Sequence, residues 1–274
     1  MSSNIRSNTP LYKPKTVIIA GAGPGAVDLM TLRCQRVIEE AEIIVYAGSL
    51  VNPEVLRYAS HECDIHDSAT MTLDEMVAVM VAGIRAGKKV LRLHTGDPAM
   101  YGAISEQINA LAVHAVKVEI IPGVSSVFAA AARVGAELTL PEVTQTVILS
   151  RRAGRTPVPE REAIPELARH QATMALFLSV AAISDLVDEL LEGGYASTTP
   201  VAIVYRATWP DEKVVEGCLN NIAARIEEAG IGRQAMILVG QALSRNGALS
   251  RLYADEFGHG YREAGVNDGV IDCG

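Results

Sequence analysis

The chain alternates short apolar, β-branched runs with longer stretches in which apolar positions recur every three or four residues. Residues 16–20 (TVIIA) and 43–47 (IIVYA) are apolar on nearly every position, as strands covered on both faces require. Between them Asp28 predicts a helix start, with Leu29, Leu32, Val37 and Ile38 near one face. Thr72-Leu73-Asp74-Glu75 is a capping-box pattern, and the helix it opens stops at Gly87. A strand over 89–93, a helix over 104–113 and a strand over 118–121, ending at Pro122-Gly123, follow.

The second half repeats the style. Strands are predicted over 146–149, 175–178, 201–205 and 235–239. Helices fall over 183–191, closed by Gly193-Gly194, and over 219–229, closed by Gly230. Such alternation predicts an α/β fold with largely parallel sheets covered on both faces. A boundary just after Ile121 gives an N-terminal α/β domain over 16–121 and a C-terminal α/β domain over 122–245. Residues 1–15 and 246–274 read as tails.

Composition narrows the classes. A hydrophobic fraction of 49% excludes a wholly disordered chain, and no apolar run approaches the ~18 residues of a membrane span. Residues 1–14 are polar and do not read as a secretory signal. With 32 acidic against 24 basic residues the net charge is −8, which argues against non-specific nucleic-acid binding. An anionic ligand must then meet a local basic cluster. Cys34, Cys63, Cys218 and Cys273 lie far apart without a C-x-x-C pair, so the expected setting is a reduced cytoplasm.

Four motifs carry candidate chemistry. Gly21-Ala22-Gly23-Pro24-Gly25-Ala26 follows a strand and satisfies G-x-G-x-x-A, the pattern of a dinucleotide loop. Against that reading, Pro24 lacks an N–H for a phosphate, and the second strand ends in Val45-Tyr46-Ala47-Gly48 without an acidic residue for a ribose. A tight turn without ligand, or a loop for another small molecule, stays open. His94-Thr95-Gly96-Asp97-Pro98-Ala99-Met100-Tyr101-Gly102 lies at the end of another strand, where ligands of open α/β sheets gather. Its Asp97 either neutralises a cation or caps the next helix.

Pro122-Gly123-Val124-Ser125-Ser126 offers Ser125 as the cap of the alanine-rich stretch 127–134, and hydroxyls at a helix start also bind ligands. Arg151, Arg152 and Arg155 form the densest basic cluster, read either as a solvated loop or as a carboxylate or phosphate site. His61, Cys63 and His66 lack a second pair at metal spacing, so no metal is expected. There is no Walker loop, G-x-S-x-G elbow or Ser-His-Asp order.

Together G-A-G-P-G, H-T-G-D-P-A-M-Y-G, P-G-V-S-S and Y-R-A-T-W-P-D-E resemble the tetrapyrrole methyltransferases of the class III S-adenosylmethionine-dependent fold, from about Val17 to Ala242. The narrower segments R-T-P-V-P-E and A-T-W-P-D-E are similar to members that act on precorrins in cobalamin biosynthesis. The resemblance implies two α/β domains with the active site in a cleft between them, a homodimer, and S-adenosylmethionine bound at that cleft. It carries cofactor contacts onto Pro24, Thr95, Gly96, Asp97, Met100, Ser125 and Ser126, and onto Leu178 and Ala207 on later strands.

The expected reaction is methyl transfer to C11 of precorrin-4, with the cobalt-bearing analogue or another ring position as alternatives. Arg151, Arg152 and Arg155 are then expected to hold the carboxylates of the tetrapyrrole, and Asp97 is a candidate for electrostatic help. A donor that is already activated needs positioning rather than an enzyme nucleophile, in keeping with the missing nucleophile signatures. A dinucleotide-dependent oxidoreductase and a non-catalytic tetrapyrrole carrier are the readings from other classes.

Overall fold

A computed structural model describes residues 10–244, so the expected tail over 246–274 and most of that over 1–15 lie outside the described residues. In the first half, β1 (Thr16–Gly21), α1 (Leu32–Glu40), β2 (Ile43–Tyr46), β3 (Asp64–Asp67), α2 (Leu73–Arg85), β4 (Val90–His94), α3 (Ile104–Val113) and β5 (Lys117–Ile121) follow in order. Their strands form one all-parallel sheet in the order β3-β2-β4-β1-β5.

Strand alternation sorts the core. Ile18, Ala20, Ile44 and Leu91 face Cys34, Val37 and Ile38 of α1, whereas Val17, Ile19, Val45 and Val90 face Val77, Met80 and Val81 of α2 and Leu111 of α3. α2 carries the expected capping box: Thr72 accepts from the Glu75 N–H and Glu75 accepts from the Thr72 N–H.

The second half contains α4 (Ser126–Val134), β6 (Val147–Arg151), α5 (Ile164–Ala168), β7 (Thr173–Phe177), α6 (Ile183–Glu192), β8 (Pro200–Tyr205), β9 (Lys213–Cys218), α7 (Ile222–Ala229) and β10 (Ala235–Val239). Its sheet runs β6-β7-β10-β8-β9. Met174, Leu176, Ile203 and Ile237 pack under α5, α6 and α7, and α4 covers the opposite face through Val127, Ala130, Ala131 and Val134.

Three expectations need correction. The second sheet is not largely parallel: only β6 and β7 run parallel, and β10 pairs antiparallel with both β7 and β8. The cause is β9, unread in the sequence, which the short 206–212 connection forces into an antiparallel hairpin with β8. Next, Thr31 rather than Asp28 caps α1; residues 27–29 form a separate 3₁₀ turn, and Leu32 is 78% exposed. Finally, the described part of the first tail is docked: the Tyr12 hydroxyl donates to the Val37 carbonyl at 2.8 Å, and Lys13 pairs with Glu119 at 2.6 Å. Among the described residues no helix is long and apolar enough to cross a membrane.

Candidate active site

Three loops leave the carboxyl ends of β1, β4 and β5 and meet backbone to backbone. Gly23 and Gly96 exchange hydrogen bonds of 3.3 and 2.8 Å, and the Ala22 N–H donates to the His94 carbonyl at 2.7 Å. A Cβ on Gly21 would lie 2.3 Å from the Gly96 carbonyl oxygen, and one on Gly123 would lie 2.1 Å from the same atom. Only glycine permits that approach. Asp97 completes the junction, its two carboxylate oxygens accepting from the Ala99 N–H at 2.8 Å and the Gly123 N–H at 2.9 Å. The expected cap role is therefore absent: α3 begins at Ile104, and Asp97 ties two loops together instead.

The glycine loop is also gripped from elsewhere. The Ala26 N–H donates to Thr208 Oγ1 at 2.9 Å, Trp209 Nε1 donates to the Pro24 carbonyl at 3.1 Å, and Asn52 Nδ2 donates to the Gly25 carbonyl at 2.9 Å. The N–H groups of Ala22, Gly23 and Ala26 are thus engaged and Pro24 has none, so the cradle of a dinucleotide pyrophosphate is missing. Gln234 Nε2 adds a bond of 2.7 Å to the Ser49 carbonyl, a further tie between the two halves.

Above this junction lies a cavity of about 750 Å³. It brings together Pro24, Thr95, Gly96, Asp97, Met100, Ser125, Ser126, Leu178 and Ala207, all nine positions expected to meet the cofactor. Ser125 does cap α4, accepting from the Val127 N–H at 3.4 Å, so the start of that helix forms part of the wall. Gly96 has φ +57°. Tyr101, Leu178, Arg206 and Gln234 also line the cavity at positive φ, each at a cost of about 1 kcal/mol or more, and such strain gathers at functional sites. Leu178 is 71% exposed there, an apolar side chain held toward open space.

Arg151, Arg152 and Arg155 line the same cavity but differ in what they hold. Arg151 donates to the carbonyls of Arg152, Thr156 and Pro157 and so folds its own loop. Arg152 is bound by Glu189 at 2.9 Å and Asp185 at 3.2 Å, one turn apart on α6. Arg155 makes no hydrogen bond or ion pair among the described residues.

Sequence reasoning passed over Tyr101, Phe177, Arg206, Trp209 and Arg233, which also line the cavity. Tyr101 meets Phe177 edge to face with centroids 5.1 Å apart, and burial pushes its phenol above the usual tyrosine range while Arg151 acts against it. Arg206 stacks on Trp209 at 3.9 Å and pairs with Asp211. These two were readable in the quoted Y-R-A-T-W-P-D-E segment; Arg233 carried no signal.

Beneath the β4 loop, His94 is buried and held neutral, its imidazole pushed down to about 4 by burial and by Arg92. Elsewhere, His61 is exposed in a turn and His66 lies 3.0 Å from Asp64; no group of three or more metal-ligating side chains is present among the described residues.

The comparisons with known proteins point one way. Residues 16–223 match the family description Tetrapyrrole (Corrin/Porphyrin) Methylases. A cobalt-precorrin-4 C(11)-methyltransferase of Methanocaldococcus jannaschii is 53% identical over 251 residues, 91% of this chain and 97% of that protein. A precorrin-4 C(11)-methyltransferase of Pseudomonas aeruginosa is 45% identical, over 90% of this chain and 98% of that one. Among solved structures, a cobalt precorrin-4 methyltransferase superposes with TM-score 0.82 at 47% identity, covering 84% and 96% of the two chains. A uroporphyrin-III C-methyl transferase from Thermus thermophilus, complexed with S-adenosyl homocysteine, does so with TM-score 0.68 at 26% identity over 86% and 96%.

Proposed function

The chain belongs to the tetrapyrrole (corrin/porphyrin) methylases, and from that premise we propose that it transfers a methyl group from S-adenosylmethionine to C11 of the precorrin-4 macrocycle. The observation that carries this reading is the cavity itself, which gathers all nine positions expected for the donor and sets the arginine loop on its rim.

The residues fit the donor. The wall made by the β1, β4 and β5 loops is backbone and small side chains apart from Met100 and Tyr101, and Gly96 leaves open the space a Cβ would take. When bound, S-adenosylmethionine supplies a methyl group already activated on its sulfonium. The chain's own work is then to bind, orient and exclude water. Its lining includes no His, Cys, Lys or Glu, and the Asp97 carboxylate is held by two backbone N–H groups. No nucleophile–base pair faces the cavity among these residues, so the macrocycle's own carbon makes the new bond.

Arg155 and Arg233 are the rim guanidiniums suited to the carboxylates of a tetrapyrrole, since neither has a partner among the described residues. Arg152 has two. The same reading takes 16–121 and 122–245 as the two domains; packing of α4 against the second sheet supports that division. It also takes the protein as a cytoplasmic homodimer. Unpaired Cys34, Cys63 and Cys218 support a reducing compartment, and exposed Ile120, Phe128 and Leu149 are side chains that a second copy would cover.

The test is incubation with methyl-labelled S-adenosylmethionine and precorrin-4, in cobalt-bearing and metal-free forms, followed by NMR location of the label. Label at C11 is expected, and the faster of the two forms identifies the substrate. Label on another ring carbon overturns the position. Binding of both ligands without turnover would make the protein a carrier.

A further inference from the structure

Trp209 is the chain's single tryptophan, and it stands where the two halves meet at the cavity. Its indole N–H reaches the Pro24 carbonyl, while its ring carbon Cδ1 lies 2.2 Å from where a Cβ of Gly25 would be. The glycine loop is therefore built to receive that ring: Gly25 leaves the space and Pro24 presents the acceptor. The other face of the arrangement is Arg206, whose guanidinium sits 3.9 Å from the indole centroid and is held by Asp211.

The segment is anchored on both sides. Thr208 takes the Ala26 N–H, its own N–H donates to Glu212 at 2.7 Å, and Glu212 pairs with Arg133 of α4. The helix whose start forms one cavity wall and the loop that forms another are thus connected through residues 206–212.

We propose that Trp209 is a positioning residue for the methyl donor: its indole, backed by Arg206, holds the Pro24–Gly25 loop in the shape that receives S-adenosylmethionine. This rests on the methyl-donor reading above. Pro24 lines the cavity, and its peptide carbonyl has one orientation only while the indole N–H holds it. Losing that bond leaves the loop's other two ties, so the fold survives while the wall loosens.

The experiment is titration of S-adenosylhomocysteine into the full chain, followed in parallel by calorimetry and by tryptophan emission, which reports Trp209 alone. In the wild type both signals are expected to saturate with one dissociation constant. Trp209→Phe keeps a ring over Arg206 and removes the N–H. It is expected to weaken S-adenosylhomocysteine roughly five-fold, the factor one net hydrogen bond carries. KM for S-adenosylmethionine rises with it, while KM for the tetrapyrrole stays at the wild-type value and the thermal midpoint falls by no more than about 2–4 °C, the cost of one hydrogen bond.

Gly25→Ala serves if Trp209→Phe does not fold. It keeps the indole as reporter but places a Cβ in its seat, so ligand-free emission shifts to the red and affinity falls at least as far. Wild-type emission that ignores a ligand seen by calorimetry overturns the proposal. So does Trp209→Phe, or Gly25→Ala in its place, binding like the wild type. Absence of calorimetric binding in the wild type overturns the methyl-donor reading itself, and this proposal with it.

Discussion

The two walls of the cavity are made of different material. The wall from the first sheet is built on peptide backbone, with three loops in contact through Gly21, Gly96 and Gly123, a carboxylate, Asp97, used as a brace, and Met100 and Tyr101 at its edge. The wall from the second sheet is long side chains, with Arg151, Arg152, Arg155, Arg206 and Arg233 around its rim. Backbone gives a shape that one atom can spoil. Long side chains give charge that can be redistributed among neighbours. The first wall should therefore fail sharply under small changes, and the second by degrees.

The largest effect is expected at Gly123. An added Cβ meets the Gly96 carbonyl at 2.1 Å and the Gly21 backbone at 2.9 Å, with no flexible side chain to yield. Gly123→Ala should cost about 3 kcal/mol of stability, the upper end for forced overpacking, and abolish S-adenosylhomocysteine binding. Gly154, on the second wall, has nothing within 4 Å of its added Cβ. Gly154→Ala should stay within about 0.5 kcal/mol of the wild type. Urea denaturation and calorimetry of the pair decide it; equal stabilities would erase the contrast between the walls.

Acid provides a second, comparable probe. His94 is neutral in the fold because burial and Arg92 push its imidazole to about 4, whereas in the unfolded chain it protonates near its ordinary 6.5. Between those values the unfolded chain binds more protons, so stability is full above pH 6.5 and is lost as pH falls toward 4. The loss is on the order of 3 kcal/mol. In His94→Gln this slope should flatten in urea midpoints measured from pH 7 to 4. An unchanged slope would mean that acid acts elsewhere.

The smallest effects separate arginines that stand side by side. Arg155→Ala should weaken tetrapyrrole binding by about ten-fold and leave S-adenosylhomocysteine affinity alone, since a charge-assisted pair at an exposed rim is worth about 1.4 kcal/mol. Arg155→Lys should recover only part, lacking the fork. Arg152→Ala should instead cost about 1 kcal/mol of stability through its lost bonds to Asp185 and Glu189, with both affinities near wild type. Paired titrations of the two alanine variants test this. If Arg152→Ala weakens the tetrapyrrole as Arg155→Ala does, the two arginines act together on the ligand.

Strands covered on both faces were legible because apolar residues fill nearly every position, as in β2, in β8 and in β1 after Thr16, whereas β4 was read in spite of its buried Arg92 and His94. The two strands passed over, β3 (DIHD) and β9 (KVVEGC), are outermost in their sheets, where polar side chains meet solvent and the apolar pattern disappears. Missing β9 also hid the antiparallel character of the second sheet. In the site, the quoted motifs contained every expected cofactor position except Leu178, but what their glycines make room for was not legible. At Gly21 and Gly123 the room is taken by another loop, and at Gly25 by Trp209. The partners of Arg152 lie 33 and 37 positions away on one face of α6, a distance over which no local pattern reaches.

The strand order has a consequence for synthesis on the ribosome. β1 is made first, yet its neighbours are β4 and β5, so its apolar run waits until residue 121 is made, on the order of ten seconds at usual elongation rates. In the second sheet the order is reversed. There β8 and β9 form their hairpin early, a local and fast event, while the central strand, β10, arrives last and must enter between β7 and β8. A nascent chain that ends before Ala235 holds one sheet complete around its oldest strand, and another whose middle is still to be made.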